Sequence, residues 1–192
     1  TPLASYYRRF VGATALPKSL SQTDVDESFS LSDGDVDAIR SGFRGVGRLG
    51  AGIQLVVLRA TGRSLESFAG LPKLLLKSLC KSVGVRELEI ASLRVLYNRA
   101  ATKSDHLRWA RERAEFHAFS TDDQRQLVEA LSQWSGSAIS VDDLVKQSEI
   151  WLYERKCALP GDRALRDASR AAFAAQDAAA LSAIREGVPE RE

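Results

Sequence analysis

The 192-residue chain has little of what metal or redox chemistry needs: two cysteines and two histidines. Cys80 and Cys157 each fall inside an apolar helical pattern. That reads as reduced core residues of a cytosolic protein, not a disulfide framework. His106 and His117 are the only histidines, and no Cys/His cluster has metal-ligand spacing. Neither a metal nor a cofactor is therefore expected. No apolar run approaches the roughly 18 residues of a membrane span. Thr1-Pro2-Leu3-Ala4 leads to Arg8-Arg9 without an apolar stretch, so no signal peptide is expected. With Thr1 first, the chain is expected to have lost an initiator methionine or to be part of a longer one. Strand alternation is also missing. Val56-Val57 is the most β-like spot, yet it belongs to Leu49, Ile53, Val56, Val57 and Ala60, which is helical spacing.

The shortage that matters most is of acids between Ala38 and Arg86. Glu66 is the only one, against nine bases: Arg40, Arg44, Arg48, Arg59, Arg63, Lys73, Lys77, Lys81 and Arg86. The block carries +8 in a chain whose net charge is +2, leaving −6 elsewhere. Such asymmetry points to a polyanionic partner, most often nucleic acid. Residues 38–113 together carry +10, and residues 114–154 carry −6. After Ala168 the composition turns Ala-rich. These shifts read as a basic helical lobe over 1–118 and an acidic, then Ala-rich, lobe over 119–192, with the seam near His117–Ser120. At 44% hydrophobic residues the chain can bury a real core.

The local pattern is helical throughout, so the expected fold is an all-α multi-helix bundle. One start signal recurs, a Ser or Thr followed three residues later by Asp. It stands at Ser21/Asp24, Ser32/Asp35, Thr102/Asp105, Ser120/Asp123 and Ser140/Asp143. The hydroxyl accepts from a free backbone N–H of the first turn, and the acid meets the positive end of the helix dipole. Glycines and Pro160-Gly161 supply the stops. Helices are expected at about 4–10, 22–29, 33–41, 48–60, 72–83, 86–98, 103–116, 121–134, 141–156 and 162–185, the last with Gln176 as its candidate break.

Three basic constellations stand out. Lys73, Lys77 and Lys81 recur every fourth residue and so form one stripe, opposite Leu75, Leu76 and Leu79. The stripe reads either as a solvated face or as a phosphate grip. The joint from Arg40 through Arg44 and Arg48 to Gly50 is basic and Gly-rich. It is no P-loop, because no Gly-Lys-Ser/Thr follows. A tight inter-helix turn and a DNA-backbone grip both fit it. Arg99, Lys103, His106, Arg108, Arg111 and Arg113 crowd a third segment. A helix over 86–98, a turn over 99–102 and a helix from Lys103 have the outline of a helix-turn-helix, whose second helix would enter a major groove. Arg99, Lys103 and His106 share a face of it. His106 reads equally as a structural residue, and Trp109 as a packing residue or a sugar contact. No activated serine, Cys/His pair or carboxylate cluster suggests catalysis.

The motifs also carry a resemblance. Phe29-Ser-Leu-Ser-Asp-Gly-Asp-Val-Asp-Ala-Ile-Arg40, Arg48-Leu-Gly50, Gln54-Leu55, Leu58-Arg59 and Gly62 resemble the N-terminal region of the large replicative transposases of the Tn-three family. Thr102-Lys-Ser-Asp-His106-Leu107, Phe119-Ser120 and Trp151–Pro160 continue the match in order and spacing over roughly residues 4–175. Gly47 stands where that family usually has Asn. The resemblance implies a bacterial, helical DNA-binding module that reads the terminal inverted repeats of a transposon. It implies too that the DDE catalytic domain lies outside this chain.

Both lines together lead to one expectation: a non-catalytic module bound to double-stranded DNA. Arg40, Arg44, Arg48, Arg59, Lys73, Lys77 and Lys81 are expected on the DNA, the stripe and the joint at phosphates. Arg99, Lys103 and His106 are expected in or beside a groove. The remainder of a transposase, or a second copy, is the expected protein partner, and the cytoplasmic nucleoid the expected location. The competing reading is a helical interaction protein whose acidic lobe and Ala-rich tail dock a partner.

Overall fold

The computed structural model describes residues 9–66, 68 and 70–187 (for 88–90 and 183–187 the backbone alone). Among the described residues the protein is all α, with nine α-helices, one 3-10 segment and no strand. The helices are α1 Gln22–Ser28, α2 Asp33–Gly42, α3 Val46–Thr61, α4 Lys73–Val83, α5 Leu93–Leu96, α6 Ala100–Ala114, α7 Thr121–Trp134, α8 Val141–Glu154 and α9 Asp162–Gly187. A 3-10 segment at Glu87–Ser92 precedes α5.

Four of the five expected start signals cap helices. Ser21, Ser32 and Ser120 form full capping boxes with Asp24, Asp35 and Asp123 at α1, α2 and α7. Ser140 accepts from the Asp143 N–H at 3.2 Å and caps α8. Each such cap stabilises its helix by about 1 kcal/mol. The fifth signal does not start a helix. The chain turns at Tyr97–Arg99, and α6 begins at Ala100, so Thr102 and Asp105 lie inside it. Alanine is the best helix former, and Ala100-Ala101 extend the helix past the Thr. The expected helix over 86–98 is instead the 3-10 segment and the four-residue α5. Leu93 is buried there, whereas Ala91, Ser92, Arg94 and Val95 are exposed, too narrow an apolar face to hold a long helix. Helix α9 continues through Gln176 without a break. Of the helix expected at 4–10, residues 4–8 lie outside the described residues, and Arg9-Phe10 form a turn.

Helix α3 is the axis of the fold. Every residue from Leu49 to Leu58 is buried, as an uncharged, all-round apolar segment demands. It packs against α2, α4, α5 and α6. Phe29, Ile39, Leu49, Ile53, Val56, Leu75, Leu79 and Val83 form the first core cluster. Leu127, Leu131, Leu144, Leu152, Cys157 and Leu165 form a second among α7, α8 and α9. Leu55, Leu58, Ala110, Ala114 and Phe116 join the two, with Tyr153 and Ala158 packed against them.

Two glycines let these parts approach. A Cβ at Gly50 would stand 2.9 Å from His106 Cε1 and 2.5 Å from a Leu96 methyl, so only glycine lets α5 and α6 cross α3 there. Gly62 ends α3 with φ 74°, a left-handed conformation that favours glycine. Its carbonyl accepts from the Leu159 N–H at 2.8 Å, tying α3 to the segment after α8.

Ion pairs reinforce both joints. Asp35 is fully buried and meets Arg59 at 2.6 Å and 3.0 Å and Arg113 at 2.8 Å. It thereby links α2, α3 and α6. Burial alone would raise its pKa. Hydrogen bonds from Arg59, Ser32 and Arg113 outweigh that and hold the carboxyl far below the usual range. Arg63 bonds Glu149 at 3.0 Å, the Gly12 carbonyl at 3.1 Å and the Pro160 carbonyl at 2.6 Å. One guanidinium thus fastens the N-terminal segment, the end of α3 and the second helical cluster.

Candidate nucleic-acid interface

Helix α4 divides cleanly. Leu75, Leu79, Cys80 and Val83 face the core, while Lys73, Lys77 and Lys81 are exposed. Eight residues of α-helix put Lys73 and Lys81 about 12 Å apart along the axis. The acid that pairs with the stripe among the described residues is Glu87, 3.8 Å from Lys77, and both side chains are 61% exposed. Such a pair is weak and screened by salt.

The joint between α2 and α3 lies beside the far end of this stripe. Arg40 donates to the Ser82 carbonyl at 2.9 Å, which brings it to the C-terminal turn of α4, next to Lys81. Arg48 donates to the carbonyls of Phe43 (3.0 Å) and Arg40 (3.2 Å). Its cation sits at the negative end of the α2 dipole. Arg44 stands exposed in the three-residue turn Phe43–Gly45, which Gly45 closes at φ 50°. Arg40, Arg44, Arg48 and Lys81 therefore gather on one patch, continued along α4 by Lys77 and Lys73.

The remaining expected residues fare differently. Arg59 turns inward to Asp35. Arg99 is exposed at the start of α6, and Lys103 pairs with Glu66. His106 is 2% exposed. Its ring meets Phe43 edge-on at 4.9 Å, and the Tyr97 hydroxyl lies 3.3 Å from Nδ1. Burial lowers its pKa to about 4, so the ring is neutral at pH 7; Asp105 pulls weakly the other way. Trp109 packs edge-on against Phe43 at 5.2 Å. The face of α6 shared by Arg99, Lys103 and His106 therefore runs from solvent into the core within two turns.

Three residues that the sequence separates do come together. Ligand atoms of His117, Asp123 and Cys157 all lie within 4.8 Å of one another. Their spacing of 6 and 34 positions has no motif, so no local signal announced them. No helix among the described residues is long and apolar enough to cross a membrane.

These features define an all-α domain with a cationic patch on α4 and the α2–α3 joint. The chain belongs to the DUF4158 family, described as a domain of unknown function, whose pattern matches residues 12–172. It is also similar to the transposase for insertion sequence element IS1071 in transposon Tn5271 of Comamonas testosteroni, 28% identical over 186 residues. That match covers 97% of this chain and 19% of the relative, so the chain spans about a fifth of the relative's length.

Proposed function

We propose that this chain is the DNA-binding, non-catalytic module of a replicative transposase of the Tn-three type, and that it recognises the terminal inverted repeats of its element. The observation that carries this is the patch of exposed Arg40, Arg44, Lys81, Lys77 and Lys73, with half-buried Arg48 behind Arg44, in a chain related to a transposase. Lys73, Lys77, Lys81, Arg40 and Arg44 grip phosphates. Arg48 holds the α2–α3 turn so that Arg44 points outward. Arg99 and Lys103, at the start of α6, read a groove, with Lys103 leaving Glu66 as DNA arrives. Arg59 and His106 support this face from behind, one through Asp35 and the other beneath Phe43. The basic part ends near residue 118, and the part from 119 contributes docking surface.

The test is a titration of labelled inverted-repeat DNA against shuffled DNA of the same length at several salt concentrations. About five phosphate contacts give a log–log salt slope near −4 to −5. Binding that ignores salt, or no binding at low salt, sinks this reading. A protein-docking role draws support from the groove between α7 and α9, lined by Val128, Leu131, Ala168, Ala172 and Ala175, of which Val128 and Ala175 are exposed. If DNA fails and a transposase fragment binds, that role stands in its place.

A further inference from the structure

We propose that His117, Asp123 and Cys157 form a zinc site at the seam between the two helical clusters. The three donors come from separate, firmly held segments. His117 lies in the connector between α6 and α7, and its backbone is bracketed by the end of α8. Its N–H donates to the Lys156 carbonyl and its carbonyl accepts from the Ala158 N–H, both at 2.8 Å. Asp123 is fixed by the α7 cap: its Oδ2 accepts from the Ser120 N–H at 2.8 Å and hydroxyl at 2.5 Å. That leaves Oδ1 facing His117 Nε2 at 3.0 Å. Cys157 is fully buried, its N–H donating to the Leu152 carbonyl at 3.0 Å.

The donor chemistry selects the ion. One imidazole, one carboxylate and one thiolate form a mixed set that suits zinc, whereas magnesium and calcium take all-oxygen sets. Zinc–ligand bonds of about 2.0–2.3 Å put tetrahedral ligands about 3.3–3.7 Å apart. The present spread of at most 4.8 Å closes to that by small side-chain rotations. His117 is 51% exposed, so the outer side of the site is open and a water completes the coordination.

The Cys157 S–H bond breaks, its proton goes to solvent, and the sulfur lone pair binds the metal. His117 Nε2 exchanges its contact with Asp123 for the metal, and its ring proton then sits on Nδ1. Without metal, burial pushes the thiol up to about 12, with the charge and hydrogen bond of Asp123 acting in the same direction. The free thiol is therefore protonated and unreactive. The ion would pin the 115–120 connector to the end of α8 and so fix how the basic cluster sits on the acidic one. This stands apart from the DNA reading and survives its failure.

The experiment titrates the full 192-residue chain with cobalt(II) under inert gas. We expect one equivalent to bind with a near-ultraviolet thiolate-to-cobalt band and tetrahedral visible bands, all abolished by added zinc. Cys157→Ser removes the thiolate band; Cys80→Ser keeps it. His117→Ala, at a half-exposed position, leaves the fold intact and weakens binding at least tenfold, the loss that even an outer-shell partner causes. Zinc at about 100 times its Kd raises Tm by roughly 5–10 °C. A titration without a thiolate band overturns the site, as does a band that survives Cys157→Ser. Should Cys157→Ser not fold, an unchanged cobalt affinity in His117→Ala overturns it equally.

Discussion

On α4, Lys73, Lys77 and Lys81 run along a solvent face. On α3 and α6, Arg59 and Arg113 converge on one buried carboxylate, Asp35. The two groups look alike in a charge count. Their difference lies in what stands opposite. Among the described residues the lysine stripe meets one exposed acid, at 3.8 Å, so its charge is available to a polyanion. The arginines share one anion with no access to water, which offsets one of their two charges and turns both guanidiniums inward. Arg63, held by Glu149 and two carbonyls, belongs with the second group. Of nine basic residues in the block, Arg59 and Arg63 therefore serve architecture first and add less to the outward field than the stripe does. Lysine and arginine divide the work as their chemistry suggests. The planar fork suits buried bidentate pairing, and the hydrated ammonium suits a surface.

Charge reversal of the stripe has the largest expected effect. Lys73→Glu, Lys77→Glu and Lys81→Glu together should weaken binding to all DNA alike by about 100-fold or more near physiological salt, and flatten the salt slope by about three units. Thermal stability should hardly move, because exposed charges contribute little. Titration and melting of the same triple variant check both halves. Unfolding would make the stripe structural and erase the contrast.

The opposite substitution is Asp35→Asn. It leaves Arg59 and Arg113 facing a neutral amide and loosens the first turn of α2. Removing one member of a buried ion pair costs about 3–5 kcal/mol. Here the arginine side chains are 34% and 39% exposed, so about 2–3 kcal/mol is expected. Urea unfolding measures it. The wild type should show the linked pH effect. With its folded pKa depressed, Asp35 contributes stability that is complete above about pH 4. That contribution shrinks as pH falls below the unfolded value near 3.8. The Asp35→Asn variant loses this dependence.

A smaller effect is expected at α6. Arg99→Ala and Lys103→Ala should cost about 1–3 kcal/mol on inverted-repeat DNA and much less on random DNA. The ratio of the two affinities is the measurement. Lys103 sharpens the contrast, because its ammonium is shared with Glu66. Glu66→Gln should release it and modestly tighten binding. An unchanged ratio in the double variant moves recognition to the Arg40–Gly62 segment.

What was legible in the sequence follows the range of the interaction. Ser21, Ser32, Ser120 and Ser140 announce helices because cap and helix lie within four residues. Thr102 carries the same signal and starts nothing, because Ala100-Ala101 already extend the helix upstream. The lysine stripe is legible from spacing alone. The inward turn of Arg59 is not, since Asp35 lies 24 positions away and the second partner of that acid lies 78 positions from it. The seat of His106 was hidden for the same reason: Gly50, whose missing Cβ makes room for the ring, sits on another helix. The gathering of His117, Asp123 and Cys157 needs the end of α8 folded back on the α6–α7 connector.

His106 offers the finest test, because it shares a helix face with Arg99 and Lys103 and meets the opposite fate. Its ring is packed neutral under Phe43, against Gly50 and beside Tyr97. Burial lowers its pKa from 6.5 to about 4. The unfolded chain therefore binds a proton between those values that the folded chain does not. Stability from this group is complete above about pH 6.5 and declines as pH falls toward 4. The slope can reach about 1 kcal/mol per pH unit. His106→Gln keeps a polar side chain of similar reach without the titration. Melting curves between about pH 7 and 4 should fall more steeply for wild type than for the His106→Gln variant. DNA affinity at neutral pH, with the ring uncharged and out of reach, should change little beyond any loss of fold. A loss of inverted-repeat selectivity with stability intact would instead bring His106 to the surface in the bound state. The buried ring would then describe only the free protein.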